Sequence, residues 1–160
     1  MKKSLVMFSQ RIFSYKDLGL LIFRLGVGGM YMWHGFPKIT GGVEKWTALG
    51  KSMEILGIQF APAFWGFMSG FTEFFGGLFF AMGFIYRPMC LLLVSNMFVA
   101  FSTQMLEGKG MMKASQSLEN GFSFIGAFFV GPGKYSMDEY LGFNSPQQGL
   151  LSDSKSEESI

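Results

Sequence analysis

FAPAFWGFMSGFTEFFGGLFFAMGFIY, residues 60–86, decides the fold. The stretch is apolar and aromatic from end to end, yet it carries one acid, Glu73, near its middle. At a rise of roughly 1.5 Å per residue it is long enough to cross the hydrocarbon of a bilayer. A charge at the bilayer centre costs roughly 2.5–3.5 kcal/mol on insertion scales, so a membrane segment keeps one only with a partner or a task. Upstream, LGLLIFRLGVGGMYMWHGFPK, residues 18–38, is a second such run, with Arg24 and His34 inside it and Lys38 at its end.

The whole chain shares this bias. Hydrophobic residues make up 49% of the 160, Phe alone occurs 20 times, and charged residues reach only 15%. A soluble protein averages about 25% charged residues, so this chain has too little charge to coat a soluble globule. The net charge of +2 forms no patch, which argues against nucleic acid as a partner. One cysteine, Cys90, leaves no intrachain disulfide and no thiol relay. One histidine, His34, excludes bis-histidine haem ligation within the chain, and a His/Cys zinc site lacks its ligands. No metal is therefore expected.

The expected fold is all-α, an integral membrane four-helix bundle with spans near residues 18–36, 60–86, 88–106 and 114–131. Pro37 is expected to follow the first span, and Pro88 to open the third. Between spans one and two, Trp46, Leu49, Met53 and Leu56 recur at helical spacing among charged residues. That pattern predicts a short amphipathic helix lying in the interface. Residues 1–17 read as an amphipathic lead-in without a cleavage site, and 142–160 as a disordered polar tail. Gly131-Pro132-Gly133 stops the fourth helix, and Ser136 is placed to cap a short helix holding Asp138 and Glu139. Basic residues before the first span favour both termini on the cytoplasmic side.

Helical geometry places the polar groups. Tyr31, Lys38 and His34 lie about 20°, 40° and 80° behind Arg24 around the first helix, with Gly28 and Gly35 within about 40° on its other side. Around Glu73, Gly66, Ser69, Gly76 and Gly77 fall within about 60°. Small residues let helices approach closely in lipid. Glu73 is thus expected to face the bundle and to meet Arg24 or His34. An Arg24–Glu73 ion pair would either lock two helices together or mark a pocket. Lys38 is expected to extend to the headgroups. The third helix adds the polar residues Ser95, Asn96, Ser102, Thr103 and Gln104.

Three stretches together resemble the DoxX/DoxD family of small four-helix membrane proteins. They are Arg24 with His34-Gly35-Phe36-Pro37-Lys38; Glu73-Phe74-Phe75-Gly76-Gly77-Leu78, leading to Arg87; and Gly131-Pro132-Gly133-Lys134-Tyr135-Ser136-Met137-Asp138. The third is similar to a closing family signature, with Met137 where Leu is usual. The resemblance implies a multi-pass protein of the bacterial cytoplasmic membrane. Some relatives are subunits of thiosulfate:quinone oxidoreductase, and others accompany soluble redox enzymes.

Three functions stay open at this point. A quinone-linked redox subunit would use Glu73 and His34 for proton chemistry, with Arg24, Tyr31, Lys38, Asn96 and Gln104 binding the ligand. Its electrons would come from a partner subunit or directly from a substrate such as thiosulfate. A non-catalytic anchor would hold soluble redox enzymes at the bilayer. A carrier would move a small solute or protons along the charged face. Homo-oligomers suit any of the three.

Overall fold

The structure, a computed structural model, describes residues 15–143. Those residues form helices and turns, with no strand among them. The order is α1 (Lys16–Ile39), α2 (Gly42–Gly50), a 3-10 turn (Lys51–Leu56), α3 (Pro62–Phe71), a π-helical turn (Thr72–Gly76), α4 (Gly77–Met82), α5 (Tyr86–Leu106), α6 (Met111–Val130) and α7 (Met137–Tyr140). The lead-in lies outside the described residues except for its last three, where Lys16 already opens α1. The tail lies outside them beyond residue 143.

Two helices differ from their expected form. Pro37 does not end α1, which runs on to Ile39 and so carries Lys38 on its last turn. Proline lacks an amide donor and strains the preceding turn. One lost hydrogen bond near a helix end is tolerated when the end is packed, and here α2 and α3 both lie against it. The second helix, expected over residues 60–86, carries a π turn at Thr72–Gly76 and stops at Met82. Of the described helices, only Tyr86–Leu106 is by itself both long and apolar enough to cross a membrane, with a mean hydropathy of 1.7.

Glycines set how α1 lies on this second helix, α3 through α4. A Cβ on Gly28 would come within 2.5 Å of the Gly77 carbonyl oxygen, and one on Gly35 within 2.8 Å of the Glu73 backbone. The two backbones touch along this seam, as small residues permit in lipid. The core forms where α1, α4, α5 and α6 converge. Tyr31 and Phe80 both meet Phe124 edge-on, at 4.9 and 5.2 Å between ring centres, and Phe80 stacks on Tyr86 at 4.9 Å. Cys90 is buried in the same cluster, as inert packing would place it.

The distribution of polarity is the reverse of a soluble globule. Arg24 is wholly buried and Glu73 is 4% exposed, while Trp33, Phe129, Ile22 and Phe98 face outward. Water-facing surfaces do not concentrate large apolar side chains in this way, whereas a lipid-facing one does.

Candidate functional site

The site is built where α1, the π turn and α5 meet. Gly35 brings α1 against Glu73 and Phe74, and Gly70 lies under Lys38, where a Cβ would be 3.0 Å from the lysine Cβ. These two close approaches put the Lys38 side chain over the π turn. Its Nζ donates to Glu73 Oε1 at 2.5 Å. Asn96 Nδ2 from α5 donates to the same oxygen at 3.1 Å, and Asn96 Oδ1 accepts from Ser69 Oγ at 2.9 Å. Glu73 Oε2 is buried and has no hydrogen-bond partner. A π turn inserts a residue into the helical repeat and re-aims the side chains it carries, which is why such turns recur at functional sites.

Glu73 and Lys38 stand in the wall between two cavities. The larger, of about 780 Å³, runs between the 3-10 turn, α3 and α5 and is lined also by Trp65, Ser69, Asn96 and Gln104. Trp65 Nε1 there is buried and unpartnered. The smaller, of about 420 Å³, opens between α1 and α6 and is lined also by Tyr31, His34, Ser117 and Asn120. A second polar contact crosses the partition: Gln104 Nε2 donates to Ser117 Oγ at 2.9 Å. Tyr31 lines the smaller cavity, its hydroxyl donating to Met97 Sδ at 2.9 Å.

Six of the seven expected site residues therefore surround these cavities: Glu73, His34, Tyr31, Lys38, Asn96 and Gln104. Arg24 does not. The expected Arg24–Glu73 pair is replaced by Lys38–Glu73, and Lys38 does not extend to headgroups. The glycine seam sets Arg24 opposite Gly83, roughly 16 Å along the helix from Gly35 and the level of Glu73. There its Nη2 donates to the Tyr135 carbonyl oxygen.

The Arg24 end is sealed. Asp138 accepts from the Ile85 and Tyr86 amides at 2.8 and 2.9 Å, capping the start of α5. Ile85 is held at φ 45°, a strained conformation for a β-branched residue that these bonds stabilise. Ser136 caps α7, as expected, by accepting from the Glu139 amide. Gly83 sits at φ 66°, and a Cβ on it would run into the Arg24 guanidinium.

Sequence reasoning missed Ser117 and Asn120 as site residues. Their spacing of three on α6 was the available signal, since it puts both on one helix face. It also missed Asp138 as a cap for a distant helix, for which no local pattern exists. Among the described residues, no three His, Cys, Asp or Glu side chains group to hold a metal ion.

Comparison with known proteins agrees with the resemblance. The inner membrane protein YqjF of Escherichia coli (strain K12) is 27% identical over 129 residues, which is 79% of this chain and 94% of that protein. No solved structure matches. The DoxX family model matches residues 19–105, which contain every expected site residue but not the closing Gly131–Asp138 motif. With more than half its length matched, the chain belongs to the DoxX family.

Proposed function

We propose that this protein spans the bacterial inner membrane four times and binds a quinone head group at Glu73 and Lys38, as the membrane subunit of a redox assembly. The spans are α1, the α3–α4 segment, α5 and α6, with both termini cytoplasmic. The apolar exterior, the buried charges and the similarity to an inner membrane protein support the placement. The observation that carries the site is the Glu73 carboxylate, neutralised by Lys38 on one oxygen and unpartnered on the other, in the wall of both cavities.

A neutral ring with polar oxygens suits that arrangement. Lys38 and Glu73 cancel in charge, so an ionic ligand gains little there. Asn96 is a donor for a carbonyl oxygen, Trp65 Nε1 and Glu73 Oε2 are buried and unpartnered and would turn toward the cavity to meet ligand oxygens, and Met68, Leu92 and Val99 supply apolar wall. Quinone reduction consumes protons, which Glu73 and His34 are placed to deliver. Electrons would come from a partner. Thiosulfate is less suited to this chain, because Lys38 is engaged and Arg24 is buried at the sealed end.

Native mass spectrometry of the full chain, purified from membranes in mild detergent with added ubiquinone or menaquinone, tests this reading. The wild type should retain one quinone, and Glu73→Gln should retain at least about tenfold less. Wild type that holds partner subunits but no quinone would make it an anchor instead. Solute uptake into vesicles containing this chain alone would make it a carrier.

A further inference from the structure

We infer that the smaller cavity is the proton port of the Glu73 site: Glu73 exchanges its proton with solvent past His34, while the larger cavity is kept for the ligand. The inference deepens the proposed function by assigning the two cavities different tasks. It rests on that reading only for the identity of the ligand.

The two cavities share Lys38 and Glu73 and little else. Both mix apolar and polar side chains, but their remaining linings do not overlap, and only the smaller includes an imidazole. The larger alone holds Met68, Leu92 and Val99 and, beside them, the buried and unpartnered Trp65 Nε1. The smaller presents an imidazole, a phenol, two amides and a hydroxyl around a mouth where His34 is exposed. These groups can hold water and pass a proton, beside an apolar side formed by Val27, Met30 and Met97. Imidazole is the side chain best suited to relay a proton near neutral pH, because either nitrogen can take it up while the other releases one. A single route serving both ligand and proton would close whenever the ligand was seated. Two routes meeting at one carboxylate avoid that conflict.

The step is a proton transfer alone. His34 or a water beside it gives up a proton, a Glu73 carboxylate oxygen gains it, and no electron moves. Protonation discharges Glu73 and loosens its bond to Lys38, whose retained charge favours return of the proton. The other charged or titratable groups around the cavities are Tyr31 and Lys38 from α1, Lys51 and Glu54 from the 3-10 turn, and Glu107 and Lys109 after α5. From α6 only the neutral Gln116, Ser117 and Asn120 face the smaller cavity. His34 is thus its one imidazole and stands apart from the charges at the larger rim.

The experiment uses the ligand-free full chain in nanodiscs. A pH jump is followed through the infrared carbonyl band of Glu73, assigned by its loss in Glu73→Gln. His34→Leu should slow the protonation of Glu73 by roughly tenfold or more, and His34→Glu should recover much of the rate. His34 is exposed, so both variants should fold, which thermal unfolding verifies. An unchanged rate in His34→Leu would overturn the inference. So would Val99→Trp, which narrows the larger cavity, if it slowed exchange as much as His34→Leu does. Because no quinone is present, failure here is distinct from failure of the quinone reading, which the native mass spectrum reports.

Discussion

Two cations along the same helix, α1, each sit beside buried polar groups, and their surroundings differ in kind. At Lys38–Glu73 the carboxylate is paired, one of its oxygens is free, and cavities open on both sides. At Arg24 the guanidinium packs against Gly83 and binds the Tyr135 carbonyl; its Nε and Nη1 are also unpartnered, but it lines neither cavity. Its acidic neighbour Asp138 is spent on the amides at the start of α5. Burial of charge in a membrane segment is therefore not by itself the mark of a site. The space beside the charge separates a site from a clamp.

The comparison can be broken at the seam that positions Lys38. Gly35→Leu would force α1 off the Glu73 backbone, and should cost about 3 kcal/mol or more of stability as well as quinone retention. Thermal unfolding in detergent and native mass spectrometry measure the two losses. Equal stability to wild type would show that the helices do not lie backbone to backbone.

The clamp should fail without taking the site with it. Asp138→Ala strands two amides and releases the strained Ile85, a loss of roughly 2–3 kcal/mol. Below the lowered melting temperature, the variant should still retain quinone. Loss of retention in a folded protein would mean that the two ends are coupled.

A smaller effect is expected at the open end. Lys38→Met leaves the Glu73 carboxylate without its cation, at about 1–3 kcal/mol, tempered because Lys38 is partly exposed. Adding Glu73→Gln should return about half of that loss or more, so the double-variant cycle shows coupling. Independent, additive losses would contradict the pair. The smallest change is Ser136→Ala, which removes one cap from α7 and should lower stability by about 1 kcal/mol with the site untouched.

Much of this molecule was legible as sequence. The helices near residues 18–36, 88–106 and 114–131 are present with ends shifted by a few residues, and the amphipathic segment after α1 forms α2 and the 3-10 turn. The inward face of Glu73 and the glycine-lined approach followed from helical angle alone. Choosing the cation did not. Angular position says which way a side chain points around an axis, not where one helix stands along another. Gly28 and Gly35 fix that register by which backbone atoms they can touch. Pro37 was expected to follow the first helix, yet the packed end of α1 carries the helix through it to Ile39. The π turn was equally hidden, since Thr72–Gly76 looks like ordinary helix and only the packed structure shows the extra residue.

By itself the sequence determined helices that turn apolar side chains outward and Arg24, Tyr31 and Glu73 inward, because period and composition are local properties. The tertiary structure alone decided that Lys38 rather than Arg24 meets Glu73, that Asp138 serves a helix 52 residues away in sequence, and that cavities flank one charge and not the other. Those are consequences of helix register and backbone contact. They depend on atoms far apart along the chain, which no pattern read along it can bring together.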